Sequence, residues 1–246
     1  MSSAPTEIVM LLDRSGSMAS IVDDMVGGFS AFMDEQRSSN PDATVSLYQF
    51  DDGFEAVYVE RPLADVGPLR QVPRGSTALL DAIARSVAET RARIEAKPAA
   101  ERPDTVVFGI ITDGHENASR EVTHADVKKL IERQESVDEW TFMYLGANQD
   151  AIEVGQGLGI ARERSMTYST DRTQSAMRGM SASVTALRSA RAEGLDMMAA
   201  RAAAEYSEDA RAAAAPSDPA SRRKGGDPAT AKPFTARRPR KSSATH

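Results

Sequence analysis

This sequence predicts an α/β fold built on a mostly parallel sheet, and three observations carry the prediction. Short apolar runs alternate with stretches of helical period along the first 190 or so residues, the mark of strand–helix crossover units. The run Glu7 to Leu12 barely alternates, as expected of a strand buried on both faces. Two further runs are joined by only three residues, too few for a parallel crossover, so one antiparallel pair interrupts the pattern.

Glu7 to Leu12 is the first strand. Behind it Ile21, Met25, Phe29, Phe32 and Met33 fall on one helical stripe, Asp23 and Asp24 sit near its positive N-terminus, and Asn40-Pro41 stops it. Thr44 to Phe50 and Phe54 to Val59 flank the turn Asp51-Asp52-Gly53 and form a hairpin at one sheet edge. Pro62, Pro68 and Pro73 mark an irregular connection, after which Ala78, Leu79, Ala82, Ile83 and Val87 give a helix closed by Pro98, with Thr77 at its start. Thr105 to Ile111 is the second central strand, Ala125 to Val137 a helix, and Trp140 to Leu145 another buried strand. Ala151 to Val154 reads as a short helix, Met166 to Ser169 as a last edge strand, and Met177, Met180, Val184 and Leu187 as one face of a closing helix.

These elements assign a compact domain to residues 1–191. Residues 192–215 are rich in alanine, so they propagate a helical extension with little to bury on its own, which leaves it either to fray or to dock elsewhere. Residues 216–246 are dominated by Pro, Gly, Ser and basic residues with one aromatic, Phe234, and this composition predicts a disordered basic tail.

The chain has 246 residues and no cysteine, which excludes disulfides and thiolate chemistry and suits a reducing compartment. Met1 to Thr6 has no basic and apolar leader, and no apolar run approaches the roughly 18 residues of a membrane span; a cytoplasmic protein without membrane contact is expected. The net charge of -6 is segregated: residues 216–246 hold eight Lys or Arg against two Asp, leaving about -12 on the rest. An acidic body argues against nucleic-acid binding by the folded part, while Arg222-Arg223-Lys224 and Arg237-Arg238-Pro239-Arg240-Lys241 leave a nucleic-acid or acidic-partner tether open for the tail.

The chemistry concentrates at strand ends. Asp13-Arg14-Ser15-Gly16-Ser17 follows the first strand and places one carboxylate and two hydroxyls on a tight turn. Thr77 in Gly75-Ser76-Thr77 and Asp113 in Thr112-Asp113-Gly114 stand at the heads of other segments. Open parallel sheets bind ligands outside the carboxyl ends of their strands, and right-handed crossovers bring the three loops to one edge if the two Asp-bearing strands are central neighbours. Asp13, Ser15, Ser17, Thr77 and Asp113 are oxygen donors without His or Cys, so a hard cation fits, Mg²⁺ first and Mn²⁺ as a substitute.

Simpler readings compete. Asp and Ser suit turns and helix caps, Thr77 alone is a candidate N-cap, and Asp113-Gly114 alone is a turn. A hydrolytic triad of Ser17, His115 and Asp113 lacks the Gly-x-Ser-x-Gly elbow. Phosphoryl transfer on Asp13 lacks the second Asp two residues on, where Ser15 stands, and Gly155-x-Gly157-x-Gly159 follows a helix rather than a strand, so it reads as a helix stop.

Taken together, Asp13-x-Ser15-x-Ser17, Thr77 opening a helix and Asp113-Gly114 after a buried strand resemble the von Willebrand factor type A domain over roughly residues 6–190. The resemblance implies a doubly wound, Rossmann-like, six-stranded sheet with helices on both faces and a metal-ion-dependent adhesion site at its upper edge. It further implies that Ser15 and Ser17 coordinate directly, that Thr77, Asp13 and Asp113 do so directly or through water, and that a Glu or Asp of a protein partner completes the shell. The implied activity is non-enzymatic, metal-dependent protein binding. Leu145-Gly146-Ala147-Asn148-Gln149-Asp150 and the segment Gly155 to Ile160 are most similar to stand-alone bacterial and phage-encoded members.

Overall fold

A computed structural model describes residues 5–147 and 149–216. In chain order the elements are β1 (Thr6–Asp13), α1 (Val22–Ser39), β2 (Ala43–Phe50), β3 (Phe54–Pro62), α2 (Leu79–Glu95), β4 (Thr105–Thr112), α3 (His124–Val137), β5 (Thr141–Ala147), α4 (Ala151–Gly157), β6 (Ser165–Tyr168), α5 (Thr173–Ala192), α6 (Met197–Ala203) and α7 (Glu208–Ala214). They build one six-stranded sheet in the order β3-β2-β1-β4-β5-β6. Every neighbouring pair is parallel except β2 and β3, whose three-residue connection permits only a hairpin.

The strand order reverses between β1 and β4. From β1 the chain winds outward to β2 and β3; from β4 it winds the other way to β5 and β6. β1 pairs with β4 from Thr6↔Thr105 to Leu12↔Ile111, so Asp13 and Asp113 leave adjacent strands at the switch point. All residues of β1, β4 and β5 are buried, which explains their unbroken apolar runs: helices cover both faces.

The two faces differ chemically. Against α1 and α5 lie Ile8, Met10, Leu12, Phe29, Phe32 and Met180, in a cluster that holds nine of the chain's eleven methionines. Against α2 and α3 lie Val9, Leu11, Ile83, Val87 and a set of rings, with Phe108 stacked on Phe142 at 5.1 Å and on Trp140 at 6.4 Å between centroids. Helices α1 and α5 approach closely at Gly28, where a side-chain carbon would come within 2.8 Å of Met177 Cγ. A buried polar seam fixes their register: Gln36 Nε2 donates to Ser181 and Thr185, and Arg188 donates to Gln36 Oε1 at 2.9 Å and to the carbonyl of Asn40 just past the end of α1.

Of the two courses the sequence left open for residues 192–215, fraying or docking, the structure has them docked. Instead of one continuous helix they form α6 and α7, which turn back onto α5 and β6 and bury Met197, Ala200, Ala204, Tyr206 and Ala214 in the methionine-rich cluster. Small residues succeed here because α5 and the edge strand leave a shallow surface that alanine fills without a large apolar stripe. Two arginines anchor the pair. Arg201 donates to the carbonyls of Glu135 (2.8 Å) and Trp140 (2.6 Å), and Arg211 to those of Ser165 (2.7 Å) and Arg162 (3.0 Å). The Ser169 N–H donates to Ala214 O at 2.9 Å, tying the end of α7 to the end of β6. Beyond Pro216, the basic tail assigned to residues 216–246 lies outside the described residues. Among the described residues no helix is long and apolar enough to cross a membrane.

Candidate metal centre

Asp13 ends β1 fully buried, 0 % exposed. Its two oxygens do different work: Oδ1 accepts the Ser15 N–H at 2.6 Å, folding the turn back on itself, and Oδ2 accepts the Thr112 hydroxyl at 2.5 Å from the end of β4. The carboxylate therefore stitches the switch point across the two strands. Ser17 Oγ donates to Asp113 Oδ1 at 2.6 Å, and Ser15 Oγ lies 3.0 Å from Ser17 Oγ. Four of the five sequence-derived donors are thus linked in one hydrogen-bonded set, Asp13 to Ser15 through the Ser15 N–H and Ser15 to Ser17 to Asp113 through side-chain oxygens.

Thr77 arrives from a third loop. Gly75 has φ +67° and its carbonyl accepts the Gly16 N–H at 3.1 Å; a side chain at Gly75 would run into the Asp52 carboxylate, so only glycine permits this approach. The residue at the cap of α2 is Ala78, without a side-chain cap, so Thr77 is not the N-cap. Glu116 and Ser119 serve that purpose from the loop after β4, accepting the Leu80 N–H at 3.0 and 3.1 Å. Asn117 from the same loop brackets the Thr77 backbone, accepting its N–H at 3.0 Å and donating its own N–H to the Thr77 carbonyl at 3.1 Å. The Thr77 hydroxyl is left facing the other donors.

Gly114 shows how close they come. A methyl carbon on Gly114 would lie 3.0 Å from Thr77 Oγ1, 3.5 Å from Ser17 Oγ and 3.8 Å from Asp13 Oδ2. Oxygens from the first and second loops thus converge on the backbone of the third, around one small space that a single side-chain carbon would fill. Two carboxylates and three hydroxyls are a hard donor set suited to Mg²⁺ or Mn²⁺, and the residues present fit such an ion. No cluster of three or more His, Asp and Glu side chains that would hold a metal exists among the described residues.

The electrostatics favour a cation. Burial pushes the Asp13 carboxyl above its usual range, against hydrogen bonds from Thr112 and Ser15 that oppose the shift. Burial pushes Asp113 up to about 6, with the Ser17 hydrogen bond opposing and the Asp13 charge adding to the rise. Nearby arginines are otherwise engaged: Arg14 and Arg74 both bind Asp51, at 2.9 and 2.8 Å, and Arg14 also pairs with Glu55.

Sequence reasoning missed Thr112, Glu116 and Asn117, and also Gln71, whose amide donates to the Asp13 carbonyl. Thr112 stands beside Asp113 and was legible as a hydroxyl at a strand end; the other three act through tertiary contacts without a spacing signal. The rival motifs are not assembled. Ser17 bonds Ser15 and Asp113, His115 is exposed, and no hydrogen bond joins Ser17 to His115 among the described residues. Gly155 and Gly157 end α4, and Gly159 at φ +89° follows as the Ile160 N–H closes on Gly155 O at 2.8 Å, a helix stop.

No family model and no curated protein matches the chain. Solved structures do. The vWF domain of the type V pili tip protein Mfa5 from Porphyromonas gingivalis superposes with a TM-score of 0.54 at 9% identity, over 75% of this chain and 96% of that one. The pilus adhesin SpaC from Lactobacillus rhamnosus GG gives 0.56 at 12% identity, over 76% of this chain and 31% of the adhesin. Proximal thread matrix protein 1 from the mussel byssus, in a structure with a zinc-occupied MIDAS motif, gives 0.50 at 16% identity over 72% of this chain. The chain spans 44% of that mussel protein's length. At these identities the likeness is one of architecture, and with the six-stranded order and its single antiparallel edge it shows that the chain has the fold of the von Willebrand factor type A domains.

Proposed function

We propose that Asp13, Ser15, Ser17, Thr77 and Asp113 hold one Mg²⁺ ion and that this site docks a carboxylate from a protein partner, as a binding module rather than an enzyme. The observation that carries the reading is the space at Gly114, where oxygens from two loops face the backbone of a third, whose Asp113 accepts the Ser17 hydroxyl. When bound, the ion supplies a compact Lewis-acidic charge. Three of the five donors are neutral hydroxyls, so the protein's own residues leave that charge incompletely matched, and an external Glu or Asp completes it. Ser17 is exposed and Asp113 half-buried, so an outside group reaches the ion from their side while Asp13 forms the buried floor.

The first test is calorimetric titration of Mg²⁺ and Mn²⁺ into the metal-stripped full-length chain beside Gly114→Ala. The wild type should bind one ion, and the added methyl should weaken binding at least tenfold, about 1.4 kcal/mol, while the metal-free variant keeps its circular dichroism. Equal affinity in the two would remove the site from these loops. For the docking step, Mn²⁺-enhanced water-proton relaxation should fall as a short peptide with one glutamate is added, and hold steady with its glutamine counterpart; identical responses would sink carboxylate docking.

The shifted carboxylates give the pH dependence its sign. Because burial raises Asp13 and Asp113 in the fold, the folded state binds protons more tightly than the unfolded chain. The stability this confers is full below the ordinary carboxylate range and is lost as pH rises through about 6 for Asp113. A divalent cation restores it by taking the proton's place. At about a hundredfold excess over Kd, Mg²⁺ should raise Tm by about 5–10 °C near neutral pH and by much less at about pH 5; a shift that is equal or larger at the lower pH would contradict the assignment.

A further inference from the structure

Tyr168 ends β6, 1 % exposed, and its hydroxyl has no hydrogen-bond partner among the described residues. A buried hydroxyl without a partner costs about 1–3 kcal/mol, and a phenylalanine would fill the same volume without that cost. Tyr58 and Tyr206 also have unpartnered buried hydroxyls, but the place of Tyr168 in the sheet is different.

The register defines that place. Thr112 pairs with Gly146, and Ala147 pairs with Tyr168, so Asp113, one residue past Thr112, stands level with Ala147 and Tyr168 in one row across the sheet. Side chains alternate faces along a strand. Val107 and Ile111 of β4, Ala147 and Tyr168 all pack in the same cluster, and Asp113 has the parity of Val107 and Ile111. The row therefore runs Asp113, Ala147, Tyr168 on one face. Its middle member is a methyl, so no large side chain stands between the tyrosine and Asp113 along that row. Two strand spacings, about 10 Å, separate the ends of the row, a gap that a phenol and one water together span. The Ser169 N–H bond to Ala214 holds the end of β6 in position.

We infer that Tyr168 is a positioning residue of the cation site, whose O–H donates through a bridging water to the Asp113 carboxylate and holds it in its ligating orientation. The inference rests on the proposed metal site. It explains why a hydroxyl is kept in an apolar cluster: the group lacks a partner among the described residues and gains one in the hydration of the occupied site. Burial first, then the charges of Asp113 and Asp13, keep the phenol well above its ordinary titration range, so it stays a proton donor at any working pH.

The test is Mn²⁺ titration, by calorimetry and by electron paramagnetic resonance, of the full chain and of Tyr168→Phe, with a melt of each in the absence of metal. The variant should bind Mn²⁺ about tenfold more weakly, in line with losses of other supporting groups around metal sites, and its metal-free Tm should equal or exceed that of the wild type. Wild-type affinity in Tyr168→Phe, beside a wild type that binds, overturns this inference and leaves the site standing. A lower metal-free Tm also overturns it, since the hydroxyl would then have a partner within the fold. A wild type that binds no Mn²⁺ overturns the site itself, and the inference with it.

Discussion

Asp13→Asn is expected to raise the stability of the metal-free protein while removing its affinity for Mg²⁺. The two effects have one cause. Asp13 is a fully buried carboxylate whose nearby arginines among the described residues, Arg14 and Arg74, both serve Asp51 instead. An asparagine keeps the shape, its Oδ1 still accepts the Ser15 N–H, and its amide donates to the Thr112 hydroxyl, which rotates to accept. Removing the buried charge should therefore stabilise the empty protein by about 1–2 kcal/mol, or roughly 2–8 °C in Tm. The gain should fade as pH falls and Asp13 of the wild type takes up its own proton. Affinity for Mg²⁺ should fall by about two orders of magnitude or more, about 2.7 kcal/mol. Paired melts and titrations check both halves. A variant that is less stable without metal would mean that the carboxylate is a structural cross-link first and a ligand second.

The second large effect concerns the end of the fold. A chain cut after Ala192 keeps every strand yet loses α6 and α7, and with them the burial of Met197, Tyr206 and several alanines. At about 1.5–3 kcal/mol for each large side chain, plus the bonds of Arg201 and Arg211 to carbonyls around β5 and β6, the loss is about 5 kcal/mol. That is a large part of the 5–15 kcal/mol that holds a typical domain together, so Tm should fall by about 10–20 °C. A chain ending at Pro216 keeps all of these contacts. Urea melts of the two truncations separate the cases: equal midpoints would show that α6 and α7 are dispensable to the body they cover.

These helices also show what the sequence conceals. Strands were legible because β1, β4 and β5 are covered on both faces and read as unbroken apolar runs; the hairpin was legible because Asp51-Asp52-Gly53 is too short for anything else. Alanine carries almost no periodic signal, so a segment that packs through Ala200, Ala204 and Ala214 looks like one with nothing to bury. The roles of Arg201 and Arg211 carry no sequence signal, because the carbonyls they reach are brought to them only by the fold. The same divide runs through the candidate metal centre. Asp13, Ser15, Ser17, Thr77 and Asp113 stood out by chemical type at strand and helix ends, and their convergence depended on β1 and β4 being neighbours, a long-range pairing. Asn117 and Glu116 left no trace, since each acts by cradling a backbone from 36 to 40 positions away.

The sheet separates two interiors of different material, with consequences for how the protein ages and varies. On the α1 and α5 side, thioether chains adopt new rotamers at little cost, so that half absorbs foreign side chains by repacking, yet it is also where an oxidant that gains entry converts apolar sulfur to polar sulfoxide. On the α2 and α3 side, stacked rings cannot flow into a gap, so trimming Phe108 or Phe142 leaves a void at nearly full energetic cost. One half is plastic but chemically perishable, and the other is inert but unforgiving. Two of the three loops proposed to hold the metal are hung from β1 and β4, the seam where the two meet.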